Sequence, residues 1–222
     1  MSFLADFPAL TGPFPVGCHD VEWGPKQKPD RLYYPAAVTQ RDQQAFWISH
    51  KEYARALCEI ARLPSFLVEW LSSQAARKRI RAYADAAVLK STKAYPIIIF
   101  SHGLGGNRHV YSSFCQDMAS HGFVVAAIEH RDKSGSLAKL DDGKWVRYAD
   151  LPPEVWDFRH QQLRFRVDEV NRCVHALKLL SHGKLERGFE GLLDLKSLVI
   201  AGHSFGGATS VKTCFHIAPS LY

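Results

Sequence analysis

No stretch of this sequence comes near the roughly 18 consecutive apolar residues that a membrane-spanning helix needs. The first 17 residues carry no basic segment, and Asp6, Pro8 and Pro13 interrupt any apolar run there, so no signal peptide is expected. Cysteine is sparse. The five present (Cys18, Cys58, Cys115, Cys173 and Cys214) are odd in number, widely spaced and free of any Cys-x-x-Cys pair. That pattern argues against a disulfide framework or a zinc site, and for free thiols in a reducing, cytoplasmic setting. Internal repeats and low-complexity segments are absent. Acidic residues are the scarcer charge, 22 against 28 Lys and Arg, giving a net charge of +6 that favours anionic surfaces. The basic cluster Arg77-Lys78-Arg79 with Arg81 has no interleaved stacking aromatics, so nucleic acid is not an expected partner.

What is present is ordinary globular composition: 222 residues, 46% hydrophobic and 23% charged, enough for one core and one domain over residues 1–222. Eight prolines and glycines before Asp30 predict an irregular arm, followed by a strand at Arg31-Leu32-Tyr33-Tyr34 on an early edge of a sheet. Helical patterning runs over residues 46–63 and resumes after Pro64. There Leu63, Phe66, Leu67, Trp70 and Leu71 form one stripe at i, i+3, i+4, i+7, i+8. Short apolar runs at 96–100, 123–128 and 198–201 suit buried parallel strands. They alternate with helical stretches at 110–121, 158–180 and 206–217. In the longest of these Leu163, Val167, Val170, Val174 and Leu177 lie on the core side. Residues 131–157 are polar and aperiodic and predict an insertion. The alternation predicts an α/β fold with a largely parallel sheet.

The third apolar run ends in Gly202-His203-Ser204-Phe205-Gly206, a Gly-x-Ser-x-Gly sequence on a predicted strand-to-helix turn, the nucleophile elbow of α/β-hydrolases. A turn sharp enough to lift a serine off a strand end crowds the positions two before and two after it, hence the two glycines. Ser204 is then the nucleophile, and the backbone N–H of Phe205 an oxyanion donor. A second donor is expected from the loop after an earlier strand. Here that loop is His102-Gly103-Leu104-Gly105-Gly106, with the Leu104 N–H as candidate. A phosphate-cradling reading of the same glycines lacks its lysine and its spacing.

Several stretches resemble the platelet-activating factor acetylhydrolase family, the lipase-like, calcium-independent phospholipases A2. They are Phe100-Ser-His-Gly-Leu-Gly-Gly106, residues 120–127, Glu129-His130-Arg131-Asp132-Lys133-Ser134 and the elbow through Thr209. Thr11-Gly-Pro13, Val16-Gly-Cys18-x-Asp20, Arg31-Leu-Tyr-Tyr-Pro35, Trp47-Ile48, Lys51-Glu52-Tyr53 and the segment 159–164 are similar to it as well. The resemblance spans nearly the whole chain and is closest to the intracellular form. It implies an α/β-hydrolase fold and hydrolysis of the sn-2 acetyl, short or oxidised acyl ester of a glycerophospholipid through an acyl-enzyme. It assigns Ser204 as nucleophile and Leu104 and Phe205 as backbone oxyanion donors, with a phospholipid as substrate and no metal or cofactor.

The family's acid and histidine follow its serine, yet only 18 residues follow Ser204 here, and none is Asp or Glu. The one later histidine, His216, lies 12 positions along the same predicted helix, about 18 Å away at 1.5 Å per residue. A general base must sit roughly 2.6–3.2 Å from its proton. His203 should point away from Ser204 and be packed or hydrogen-bonded; His102 and His130 could structure the site. The expectation is therefore a chain truncated at its C-terminal part, without triad Asp and His, and inactive or nearly so. A generic carboxylesterase and a non-catalytic, truncated lipid-surface binder are the alternatives. The stripe from Leu63 to Leu71 is expected to lie on a membrane surface, with packing against the sheet as the alternative. Acyl preference and oligomeric state are left open by the sequence.

Overall fold

An apolar run with no polar face must be covered on both sides. The computed structural model describes residues 5–21, 30–140, 142–185 and 188–217, the side chains of the last two apart, and it covers the runs at 96–100 and 123–128 in that way. The run at 198–201 departs from the expected buried strand: it lies on an edge strand of the sheet, where Val199 is 51% exposed and Leu198, Ile200 and Ala201 are half-buried. In chain order the elements are β1 (Val16–Val21), β2 (Asp30–Ala37), β3 (Gln44–Phe46), α1 (Lys51–Ile60), α2 (Ser65–Arg77), β4 (Arg79–Ala84), β5 (Ala87–Val88) and β6 (Tyr95–Ser101). Then come α3 (Ser112–Ser120), β7 (Val124–Ala127), β8 (Leu137–Lys139), β9 (Trp145–Arg147), α4 (Val155–Ser181), β10 (Leu193–Gly202) and α5 (Phe205–Ile217).

Among the described residues an eight-stranded sheet runs β10-β6-β7-β2-β1-β4-β3, with β5 beside β2. Six of its strands point one way; β2 and β3 run against them. The alternation of side chains along β6 divides two cores. Ile97 and Ile99 face α4, packing with Val170, Cys173, Leu177 and Leu180. Ile98 and Phe100 face the other way, towards Cys115 and Ala119 of α3. The α/β-hydrolase architecture expected from the sequence is thus present, with the parallel trio β7-β6-β10 carrying the elbow. All five cysteines are free. No helix among the described residues is long and apolar enough to cross a membrane.

Several expectations need correction. The 31–34 strand is no edge: β2 lies between β7 and β1, with every residue but the last buried, because Leu32, Tyr33 and Tyr34 fill space on both faces. The arm before it contains a strand, β1, whose pairing with β2 overrides its glycine; residues 1–4 and 22–29 of that arm lie outside the described residues. The helix expected from residue 46 starts at Lys51, since residues 44–46 pair with β4 instead. The basic stretch after α2 is itself a strand, with Arg79 and Arg81 outward and Ile80 and Ala82 inward. The 131–157 segment is not merely irregular. It contains the β8–β9 hairpin, whose Leu137 is buried among Ile48, Tyr53 and Ala54.

Candidate active site

β10 delivers Ser204 at its end, where the chain must reverse into α5 within one residue. Ser204 takes up that reversal itself, with φ at 56°, in the left-handed region that non-glycine residues seldom occupy. A Cβ on Gly206 would lie 2.6 Å from the Ser101 carbonyl carbon, and one on Gly202 would lie 2.8 Å from the Ser101 oxygen. Both glycines of the motif are required, as their spacing implied. The Ser204 side chain is exposed.

The loop after β6 comes to meet it. A Cβ on Gly103 would stand 3.3 Å from Ser204 Cβ and 3.2 Å from the His203 carbonyl oxygen. Within this loop the Gly105 N–H donates to Ser134 O (2.8 Å) and the Gly106 N–H to Gly103 O (3.1 Å). In the elbow the Gly206 N–H donates to His203 O (2.9 Å). Among the described residues nothing takes up the N–H of Leu104 or of Phe205. Two backbone N–H groups without acceptors among the described residues are therefore found next to the exposed serine, one in the following residue and one in the loop that faces it.

Beneath both donors lies Arg166 of α4, fully buried. Its Nη1 donates to His102 O (2.6 Å), its Nε to Asp132 Oδ2 (3.1 Å), and its Nη2 to Ser134 Oγ (2.6 Å). Its guanidinium carbon sits 4.8 Å over the ring of Phe205. One side chain therefore ties together the Leu104 loop, the 132–134 turn that holds Gly105, and the elbow. The sequence reading passed over it, although Gln162, Arg166 and Glu169 form a polar row at i, i+4, i+7 beside the apolar stripe of α4, and all three are buried. Tyr111 is a second omission. Its hydroxyl hydrogen-bonds His203 Nδ1 (2.9 Å) and accepts from Gly103 N (3.4 Å), bridging elbow and loop.

The histidines near the serine are all engaged. His203 turns to Tyr111, in keeping with a hydrogen-bonded role. His102 Nδ1 meets Gly103 O (2.8 Å), while its Nε2 accepts from His130 N (3.4 Å), which places the proton on Nδ1. His130 lies between Ser101 Oγ (2.7 Å from Nε2) and Glu169 Oε2 (2.6 Å from Nδ1). Burial first, then the charge of Arg166, holds both His102 and His130 well below the usual histidine range. Among the described residues no side chain accepts a hydrogen bond from Ser204. His216 belongs to α5, and its side chain lies outside the described residues. No three His, Cys, Asp or Glu side chains among the described residues gather as metal ligands.

The expected stripe does not face one way. α2 buries Val68, Ser72 and Ala75 instead, while Leu63, Leu67 and Leu71 are half-buried, and Phe66 (72% exposed) and Trp70 (41%) face solvent. The alternative, a stripe packed on the sheet, does not hold for these two aromatics.

The family model of platelet-activating factor acetylhydrolase, isoform II, matches residues 2–217. The chain belongs to that family. It is 35% identical to a platelet-activating factor acetylhydrolase of Cavia porcellus, over 93% of this chain and 51% of that one. To the enzyme of that name from Gallus gallus it is 31% identical, over 93% of this chain and 56% of the other. The chain thus spans about half the length of these relatives. Among solved structures, a ferulic acid esterase from Streptomyces cinnamoneus superposes with a TM-score of 0.68 at 21% identity, covering 95% of this chain and 58% of that one; the likeness is one of fold.

The buried His130–Glu169 contact generates a pH signature. Burial, opposed by Arg131, pushes the Glu169 carboxyl up to about 7. The native chain then holds this proton longer than the unfolded chain does. Its stabilising contribution is complete below the ordinary carboxylate range and is lost as pH rises through about 7. Urea unfolding of wild type and Glu169→Gln across pH 4 to 8 should show wild type losing stability relative to the variant over that window. A constant difference across the range contradicts the assignment.

Proposed function

We propose that the Ser204 site is that of a serine esterase acting on the sn-2 acetyl, short or oxidised acyl ester of glycerophospholipids. The observation that carries this reading is the Ser204 hydroxyl raised at φ 56° beside the two uncommitted N–H groups of Leu104 and Phe205. Ser204 Oγ attacks the ester carbonyl carbon, and the carbonyl oxygen takes the charge between the two N–H donors. The tetrahedral intermediate collapses to an acyl-serine, the lysophospholipid leaving with a proton; water then releases the acid. One such donor typically contributes about 10²–10³ in kcat. Family membership favours a phospholipid substrate over a generic carboxylester.

The proton of Ser204 has no acceptor among the described residues, since His102, His130 and His203 are each bound elsewhere. Serine hydrolases stripped of triad members retain only about 10³–10⁴ over water. The 222-residue chain should therefore hydrolyse p-nitrophenyl acetate or a 2-acetyl phosphatidylcholine at a rate near that of Ser204→Ala. Ordinary turnover that disappears in Ser204→Ala overturns this part of the reading.

Phe66 and Trp70, outward on α2, support docking at a phospholipid surface, where the substrate is found. Five free thiols support a reducing, cytoplasmic setting at that surface. Phosphatidylcholine vesicles should co-sediment the wild-type chain, and Leu67→Ala with Trp70→Ala should reduce the bound fraction several-fold. Equal sedimentation of the two proteins removes the interfacial role.

A further inference from the structure

At the sheet edge opposite to Ser204 the chain builds a basic cleft. β10 ends the strand order on one side and β4 and β3 end it on the other, so the cleft is separate from the elbow. Its volume is about 430 Å3, and Asp6, Gln74, Arg77, Lys78, Arg79 and Arg81 line it. Local structure explains the convergence. Arg77 closes the last turn of α2, Lys78 caps the helix, and the period-two alternation of β4 turns Arg79 and Arg81 to the same outer face.

The guanidinium groups are oriented. Arg79 stacks its guanidinium carbon 4.3 Å over the Phe46 ring and donates to the Gln44 carbonyl. Arg81 donates through Nε to Phe7 O (3.1 Å), which leaves its two terminal nitrogens to the opening. Arg77 makes no hydrogen bond or ion pair among the described residues. Lys78, buried, is paired with Asp6, the single carboxylate in the lining. Three guanidinium charges thus face one space whose lining holds a single carboxylate, Asp6, itself hydrogen-bonded to Lys78. Folding holds them together against their mutual repulsion, and the planar fork of N–H donors is matched by the oxygens of a phosphate group, to which each guanidinium can donate two parallel bonds.

We infer that this cleft is an anion site that takes a phosphate group, distinct from the esterase site and independent of its chemistry. The group could come from the headgroup of an acidic phospholipid or from a free phosphate. Phe66, Trp70, Gln74 and Arg77 follow one another at spacings of 4, 4 and 3, on one face of α2, so the cleft opens at the end of the exposed aromatic face.

The test uses the 222-residue chain with two probes. Inorganic phosphate is titrated by calorimetry, and vesicles of phosphatidylcholine with and without phosphatidic acid are co-sedimented. Two variants accompany it. Arg77→Gln with Arg81→Gln removes donors, and Gln74→Glu adds a negative charge to the lining without breaking a bond made by Gln74 among the described residues. Circular dichroism and melting temperature report folding. Wild type should bind at least one probe, more weakly as salt rises, and each folded variant should bind about tenfold more weakly or worse. Heat with inorganic phosphate identifies a free anion as sufficient; binding only to vesicles with phosphatidic acid identifies the headgroup. If neither probe binds wild type, or if folded Gln74→Glu binds as wild type does, the proposal is wrong.

Discussion

A Cβ on Gly206 would lie 2.6 Å from the carbonyl carbon of Ser101. The first turn of α5 and the last residue of β6 therefore touch through backbone alone, and this contact fixes where everything at the site can be. It pins the elbow to the strand that launches the 102–106 loop, so the two N–H donors come from segments that cannot drift apart independently. It also forces Ser204, caught between two glycines, into a left-handed backbone that lifts its side chain off the sheet.

Behind the turn sits a buried charge. Arg166 is completely buried, and so are Ser134 and the side chain of its partner Asp132. Placing a guanidinium there is costly unless each donor finds an acceptor. Here the acceptors are the parts that must be held: the His102 carbonyl, the 132–134 turn, and the face of Phe205. Breaking such a pair by removing one partner generally costs about 3–5 kcal/mol. The neighbouring Ser101–His130–Glu169 chain holds β6, the end of β7 and α4 to one another in the same buried layer.

The strand-to-helix turn at Ser204, its two glycines and the 102–106 loop that meets it were legible in the sequence because a strand, a turn and a helix in succession dictate the residue types. The α4 stripe was legible for the same reason, since Val167, Val170, Val174 and Leu177 are all buried. Arg166 and Tyr111 were not, because their roles depend on partners far along the chain, His102 lying 64 positions from Arg166 and His203 92 from Tyr111, and no periodicity records such a pairing. β2 misled for a related reason. Proline and glycine around it signal a surface, whereas its position between β7 and β1 is set by strand pairing. The outward turn of Phe66 and Trp70 followed from α1, which claims the opposite face of α2; helical spacing alone gives a stripe without saying what it faces.

On the proposed function, the fold prepares the Ser204 nucleophile and its oxyanion hole as one unit. The most direct measurement is the structure of the chain after reaction with a fluorophosphonate, driven with added imidazole as external base. The expected result is a single adduct on Ser204 Oγ, with the phosphoryl oxygen about 2.7–3.1 Å from the backbone nitrogens of both Leu104 and Phe205. An adduct on another residue, or a phosphoryl oxygen that meets neither nitrogen, would contradict it.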